Sequence, residues 1–176
     1  MRNIVLNLAI SLDGFIADAD GGFSWINGDG DNRINTKKTF DFPEFVSSID
    51  IIVMGSKAYE DCPKETLEAF RDKKVIVATT RSLQGSENVE FFNGDICKKI
   101  LLLKEEEGKD IWLFGGATLT DPFIKADIVD EYIIGIIPII LGDGRSLFLN
   151  NNPTIELHLD ECYIDNGITI LKYFKR

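Results

Sequence analysis

The chain has 176 residues, of which 44% are hydrophobic and 27% charged. This composition is typical of one globular domain and argues against a disordered or fibrous protein. The net charge of −10 argues against nucleic acid or an anionic membrane surface as the main partner, because both are bound through basic residues. An anionic small molecule is still allowed, since a pocket can be basic on an acidic protein.

The N-terminus and the cysteines predict a cytoplasmic protein. The first residues become polar too early for a signal peptide, and the longest apolar run, residues 132–141, is too short to span a membrane. Cys62, Cys97 and Cys162 are odd in number and form no C-x-x-C pair, so neither a disulfide framework nor a zinc site is indicated. We expect reduced, mostly buried thiols.

Strands and helices alternate along the first two thirds of the chain. The apolar run IVLNLAI predicts a strand buried on both faces at residues 4–10, and a turn-rich loop follows it. Hydrophobic spacing predicts further strands at residues 51–54, 74–78, 89–92 and 111–114, and helices at 34–49, 64–71, 94–107 and 117–125. Pro43 interrupts the first of these helices or starts a second, and Asp95 can cap the third.

The last third contains strands without helices between them, at residues 130–140, 154–164 and 168–174. Asp165-Asn166-Gly167 is typical of a hairpin turn. We therefore predict a single α/β domain over residues 1–176, with three layers and a mixed, mainly parallel central sheet. Helices would cover both faces, and an antiparallel C-terminal hairpin would close the sheet.

Several familiar site motifs are absent. The segments GDGDNR and GDGRSL lack the third glycine of a dinucleotide fingerprint, and no G-K-[ST] of a P-loop occurs. His158 is the only histidine and lies in an alternating strand, where a surface or structural role is expected. A Ser-His-Asp triad or a histidine metal site therefore has no support, and we predict no metal.

Three predicted strands end in small, polar or basic residues: Gly55-Ser56-Lys57, Thr79-Thr80-Arg81 and Gly115-Gly116-Ala117-Thr118. Ligands of open α/β sheets bind outside the carboxyl ends of the strands. The glycine pair lets a ligand approach the backbone, and the helix that follows it presents N–H groups to phosphate. Each end alone could be a plain turn or a solvated charge, but together they predict a phosphate-binding edge.

Four segments resemble a known superfamily. VMGSKAYE (53–60) and IWLFGGATL (111–119) are similar to the cofactor-binding turns of dihydrofolate reductases. SLDGFIA (11–17) and DEYIIGIIPIILGDGRSLF (130–148) resemble the reductase domain of the bifunctional riboflavin-biosynthesis protein. The match runs in order over nearly the whole chain and implies a dihydrofolate-reductase-like fold that binds NADPH.

The resemblance implies a role for each strand end. The Gly115-Gly116 turn, which often carries a cis peptide in this superfamily, would contact the diphosphate. Ser56 and Ala58 replace the family's Arg and Thr in the second phosphate turn. Arg81 would bind the 2′-phosphate and favour NADPH over NADH. The implied cofactor residues are Ala9, Ile16 and Ala17, which flank the nicotinamide, and Gly55, Ser56, Lys57, Thr79, Thr80, Arg81, Gly115, Gly116, Ala117 and Thr118.

The resemblance also suggests substrate and catalytic residues. Trp25 matches the tryptophan beside the folate site, although it could equally anchor its loop, and Phe45 is a second candidate substrate contact. Asp13, in the S-x-D-G segment, and Asp41, at the position nearest the reductase carboxylate, are the candidate catalytic residues. Asp13 could instead form a turn, and Glu44 is the next candidate after Asp41.

The function that these residues imply is an NADPH-dependent oxidoreductase that transfers hydride to a small heterocyclic substrate. The C-terminal motif favours a substrate like that of 5-amino-6-(5-phosphoribosylamino)uracil reductase. A dihydrofolate reductase and a non-catalytic NADPH-binding homologue are the alternatives. The resemblance further implies a homodimer, for which residues 132–141 could form the contact unless that strand is buried in its own core.

Overall fold

The computed structural model describes residues 1–176. The strands are β1 (Ile4–Ser11), β2 (Phe15–Ala17), β3 (Ile49–Gly55), β4 (Lys74–Ala78), β5 (Val89–Phe92), β6 (Asp110–Gly115), β7 (Glu131–Ile137), β8 (Arg145–Ser146), β9 (Leu157–Asp165) and β10 (Ile168–Lys175). The helices are α1 (Phe42–Ser47), α2 (Ser56–Asp61), α3 (Lys64–Ala69), α4 (Ile96–Lys104) and α5 (Ala117–Lys125).

Eight strands form one sheet in the order β5-β4-β3-β6-β1-β7-β10-β9. The first six run parallel to one another, whereas β10 is antiparallel to both β7 and β9. Asn166 and Gly167 join β9 to β10 with φ of 51° and 81°, the positive values that a tight hairpin turn requires. The mixed, mainly parallel sheet with an antiparallel C-terminal hairpin is thus confirmed.

Side chains that alternate along the strands fill a separate core on each face of the sheet. Ile4 and Leu6 of β1 pack into the core that also buries Phe123 of α5. Val5 points to the other face, into the core that holds Phe45 of α1 and Trp112 of β6. Because both faces of the sheet are covered, its central strands are apolar without alternation, which explains the continuous run IVLNLAI.

The first helix is much shorter than predicted. The sequence pattern predicted a helix over residues 34–49, but α1 begins only at Phe42. Pro43 occupies the first turn, where no N–H is needed, and the Asp41 carboxylate caps the helix by accepting from Glu44 N at 2.8 Å. The preceding residues are drawn into a loop by β9, where Thr36 N donates to Ile164 O at 2.9 Å.

The apolar strand near the C-terminus is an interior strand. β7 pairs with β1 on one side and β10 on the other, and Tyr132, Ile133 and Ile134 are buried. Both of its edges are therefore occupied, and a second chain cannot extend the sheet from β7. Burial in the chain's own core therefore holds for the strand, whereas Ile140 beyond its end is 69% exposed, and the homodimer stays a prediction.

The cysteines are less buried than expected. All three are free; Cys62 and Cys97 are partly buried and pack against the cores, whereas Cys162 is exposed, so the expectation of mostly buried thiols fails for Cys162 alone. Burial still raises the pKa of Cys97 to about 11, and Asp95 adds to the effect. None of the helices combines the length and apolar character needed to cross a membrane.

Candidate active site

A large cleft opens at the carboxyl edge of the sheet, where β4, β3, β6, β1 and β7 end. Its volume is 1580 Å³, and 22 of its 42 lining residues are hydrophobic. Sites for one small molecule usually measure roughly 300–1,000 Å³. The cleft therefore has room for two ligands side by side.

The glycine pair forms the turn from β6 into α5. Gly115 and Gly116 have φ of 114° and 95°, a left-handed region that other residues adopt only under strain. No heavy atom would lie within 4 Å of a Cβ at Gly116, so the backbone there faces open space in the cleft. The expected cis peptide is absent, since every peptide bond is trans. The two positive φ values make the turn instead.

The start of α5 is free to bind a ligand. Gly116 is its N-cap, and no side chain caps the helix. Ala117 and Thr118, the first two helical residues, line the cleft together with the glycine pair. The unoccupied first-turn N–H groups and the positive end of the helix dipole favour an anion at this point.

The two neighbouring strand ends also line the cleft. Gly55, Ser56 and Lys57 follow β3, and Thr79 and Thr80 follow β4. Lys57 is not a free charge, because its Nζ lies 2.9 Å from Asp61 Oδ2. The fold thus brings the predicted residues together in the cleft. Their hydroxyl and backbone groups are more available to a ligand than the paired lysine is.

Arg81 lies apart from the other predicted cofactor residues. It does not line the cleft and forms an ion pair with Glu60 of α2. Both side chains are half-exposed, so the pair is weak and the arginine can exchange partners. Its proposed contact with a 2′-phosphate stays a prediction.

The other wall of the cleft is apolar and aromatic. Ala9, Ile16 and Ala17, the predicted neighbours of a nicotinamide, all line it. Phe42 packs edge-on against Trp112 with ring centroids 5.8 Å apart, and both rings border the cavity. A flat heterocycle can stack or pack against such rings, with a gain beyond simple burial.

Asn7 is the one polar side chain that β1 presents to the cleft. It interrupts the apolar run of that strand and lines the cavity. Its backbone oxygen accepts from Trp112 Nε1 at 3.0 Å, but its side-chain Nδ2 is buried without a partner. A buried donor without an acceptor costs free energy, so this amide is suited to a polar atom of a ligand.

The two predicted catalytic carboxylates have structural contacts and do not line the cleft. Asp13 accepts from the Ser11 hydroxyl at 2.6 Å and from Gly142 N at 2.8 Å. The Ser11 hydrogen bond, with help from the backbone donors, lowers the pKa of Asp13. Asp41 caps α1. A catalytic role for either residue stays a prediction.

The two predicted substrate residues lie near the cleft but not on its surface. The Trp25 indole donates to Gly22 O at 3.1 Å and so anchors its own loop, whereas its neighbours Phe23 and Ile26 line the cavity. Phe45 is buried behind Phe42, with its ring centroid 5.1 Å from that of Trp112. Direct substrate contact by Trp25 or Phe45 stays a prediction.

Sequence reasoning missed several residues of the cleft, among them Asn7, Phe42 and Arg145. Asn7 could have been found as the single polar residue inside an apolar strand. Arg145 lies in the GDGRSL segment, of which only the glycines were compared with a known motif. Phe42 carried no signal, because its exposure depends on where α1 begins. No group of three or more His, Cys, Asp or Glu is placed to hold a metal ion.

Sequence comparison finds relatives over most of the chain. The model of the RibD C-terminal domain matches residues 56–170. Uncharacterized protein YyaP of Bacillus subtilis (strain 168) is 33% identical over 170 residues, covering 90% of this chain and 86% of that protein. Uncharacterized protein YwjB of the same organism is 36% identical over 163 residues, covering 89% of both.

More distant similarity extends to riboflavin biosynthesis proteins. RibD of Haemophilus influenzae is 27% identical and covers 82% of this chain, which spans 49% of that protein. A putative riboflavin biosynthesis protein from Shewanella sp. PV-4 superimposes with a TM-score of 0.78 at 24% identity, covering 100% and 99% of the two chains. The deaminase/5-amino-6-(5-phosphoribosylamino)uracil reductase of Thermotoga maritima gives 0.68 at 17% identity, covering 99% and 57%.

The structural matches show a shared fold, and the family model covers well over half of the chain. The cleft lies at the sheet edge where such a fold binds its ligands. The chain therefore belongs to the family of the RibD C-terminal domain.

Proposed function

We propose that this protein is an NADPH-dependent reductase that transfers hydride to a small heterocyclic substrate of the riboflavin type. One observation carries the proposal: the residues that the resemblance assigned to the cofactor, all except Arg81, line a single cleft. Support comes from the uracil reductase activity in the name of the Thermotoga maritima relative.

The residues present fit a dinucleotide. The open backbone at Gly116 accommodates a bulky diphosphate, and the uncapped start of α5 favours its charge. Ala9 and Ala17 keep the region beside β1 free of large side chains, so that a flat ring can lie against it. When bound, NADPH would supply the hydride, and the chain would supply binding and orientation.

The chain's own contribution is to bind and orient the substrate. The aromatic wall of Phe42 and Trp112 would hold the substrate ring, and the unpaired Asn7 amide would donate to one of its polar atoms. The cleft offers a single carboxylate, Asp61, which is paired with Lys57. Binding and alignment, rather than a ready carboxylic acid, are therefore what this lining provides.

The first experiment is a titration of the purified protein with NADPH and, separately, NADH, followed by tryptophan fluorescence. Trp112 borders the cleft, so binding should change its emission. We expect saturable binding that is tighter for NADPH, followed by oxidation of NADPH when 5-amino-6-(5-phosphoribosylamino)uracil is added. Absence of binding by either cofactor refutes the proposal.

Two further results would redirect the proposal. Turnover of dihydrofolate instead would identify a dihydrofolate reductase. Binding without turnover of either substrate would identify a non-catalytic homologue, an alternative that the replacement of the family's Arg and Thr by Ser56 and Ala58 favours.

The ion pair of Arg81 with Glu60 gives a test of cofactor preference. If Arg81 binds the 2′-phosphate, Arg81→Ala should abolish the preference for NADPH over NADH. Glu60→Gln should increase that preference, because it releases the guanidinium. Arg33→Ala is the control, since Arg33 is an exposed arginine paired with Asp31 outside the cleft. An unchanged preference in Arg81→Ala would show the assignment to be wrong.

A further inference from the structure

Arg145 and Lys57 are the two basic residues that line the cleft. It belongs to β8, a short strand that pairs with β2 in a separate two-stranded sheet, where Arg145 lies opposite Ala17. The glycine turn follows β6, which lies two strands from β7 in the sheet. Adjacent strands are about 4.8 Å apart, so β6 and β7 are separated by roughly 10 Å in the sheet.

Arg145 has no ion-pair partner. Four of the six arginines, Arg2, Arg33, Arg71 and Arg81, pair with carboxylates, and the other unpaired one is the C-terminal Arg176. The chain carries 29 Asp and Glu against 19 Lys and Arg. Acidic residues are therefore numerous enough to pair with every arginine, and Arg145 is unpaired because none lies within reach. Within the cleft, the other cation, Lys57, forms a half-exposed ion pair with Asp61 at 2.9 Å.

The surrounding backbone leaves space for the guanidinium. A Cβ at Gly21 would lie 2.7 Å from Arg145 Nη2, and one at Gly144 would lie 2.3 Å from the Ala17 carbonyl oxygen. The side chain thus rests on the Gly21 backbone, while Gly144 lets β8 approach β2 closely. Arg145 is exposed, and it lines the cleft together with both glycines and Phe23.

We propose that Arg145 binds an anionic oxygen group, a phosphate monoester or a carboxylate, carried by the substrate. A guanidinium presents paired N–H donors that match either group. The inference rests on the proposed function, because it takes the Gly115-Gly116 side of the cleft as the cofactor side. The substrate would then lie between the aromatic wall and Arg145, with its charged end at β8.

The test is isothermal titration calorimetry with three probes: ribose 5-phosphate, neutral ribose, and ribonate, which carries a carboxylate. Each is titrated into the wild-type protein, Arg145→Gln, Arg145→Lys and Arg176→Gln, with and without saturating NADPH. We expect ribose 5-phosphate to bind saturably and ribose not to bind. Arg145→Gln should weaken binding by about tenfold or more, because it removes charge-assisted hydrogen bonds. Arg145→Lys should restore part of the affinity.

Arg176→Gln is the matched control, since it removes the same charge from the other unpaired arginine. It should bind every probe as the wild type does. Ribonate binding that also depends on Arg145 would support a carboxylate, and binding of ribose 5-phosphate alone would support a phosphate. Wild-type affinity in Arg145→Gln, or no saturable binding of either anion, overturns the inference.

The design separates this inference from the proposed function. Failure of NADPH to bind the wild type counts against the reductase. An Arg145-dependent affinity for the anions in the titration without cofactor still supports the anion site. Conversely, Arg145→Gln could bind both NADPH and the anions with wild-type affinity. That result would be consistent with the reductase but would show that Arg145 is not the anion site.

Discussion

At the turn between β1 and β2, the carboxylate of Asp13 accepts hydrogen bonds from two segments. Ser11 Oγ lies 2.6 Å away on its own turn, and the backbone N–H groups of Leu141 and Gly142 reach it from the segment after β7 at 3.1 and 2.8 Å. These bonds favour the ionised form, which is why the pKa of Asp13 is lowered. The side chain therefore joins the first loop to the segment that carries Arg145.

This contact has a definite pH dependence. A carboxyl whose pKa is lower in the folded state stabilises the protein above its ordinary value of 3.8, and the stabilisation is lost as the pH falls through the folded-state value. Asp13→Asn should therefore lower the melting temperature at neutral pH, and the difference from wild type should shrink towards pH 3. Thermal unfolding across this range measures it.

Asp20→Asn is the control for this prediction, because Asp20 is exposed and its carboxylate accepts none of the described hydrogen bonds. It should match the wild type throughout. A difference for Asp13→Asn that stays constant with pH would mean that the charge of Asp13 contributes nothing.

At the scale of the element, α1 places two aromatic residues, one turn apart, in different environments. Phe45 is 8% exposed and Phe42 is 48% exposed, although both pack against Trp112. Phe45→Ala should lower the free energy of unfolding by about 3 kcal/mol, as expected for a large buried side chain. Phe42→Ala should cost about 1 kcal/mol, because less area is buried.

Urea denaturation measures both variants. Phe42→Ala should in turn weaken substrate binding, since Phe42 borders the cleft. Equal destabilisation by the two substitutions would contradict the division into a core residue and a wall residue.

The turn between β6 and α5 allows a matched comparison of two glycines. Gly116 and Gly30 have φ of 95° and 79°, and neither has a heavy atom within 4 Å of its Cβ position. Gly116→Ala and Gly30→Ala should each cost about 1–2 kcal/mol, from the left-handed backbone alone. Because only Gly116 lines the cleft, only its substitution should weaken NADPH binding in the fluorescence titration. Equal NADPH affinity in both variants would count against a cofactor at this turn.

At the scale of the whole molecule, the cleft joins elements that are far apart in the chain, from β1 to β10. A ligand bound there should therefore stabilise the entire fold. At a free NADPH concentration about 100-fold above its dissociation constant, the expected gain is about 2.7 kcal/mol, or a rise in melting temperature of roughly 5–10 °C for a chain of this size. Differential scanning fluorimetry measures this rise, and a melting temperature independent of NADPH would contradict the prediction.

The local elements were largely predictable because their causes are local. The glycine pair after β6, the Asp95 cap of α4 and the Asn166-Gly167 turn each act on residues next to them in the chain. Hydrophobic runs located the strands for the same reason. The helix at residues 34–49 was wrong because contacts with β9 decide the conformation of its first half, and no neighbouring residue signals them.

The candidate site was predictable only in part. The strand ends of β3, β4 and β6 could be grouped in advance, because parallel strands bring their carboxyl ends to one edge. Arg81 and Arg145 could not be told apart from the sequence. Each is one arginine among polar neighbours, and only the fold pairs Arg81 with Glu60 while leaving Arg145 free in the cleft.

The sequence by itself thus determined the eight strands of the large sheet, three of the five helices and the hairpin turn, since these follow from the chemistry of neighbouring residues, and its motifs indicated the family by resemblance. Only the tertiary structure decided the strand order, the β2–β8 ribbon and which side chains meet in the cleft. The reason is that pairing and packing join residues distant in the chain, such as Ala17 with Arg145. Such contacts depend on the shape of the whole core, which no short segment encodes.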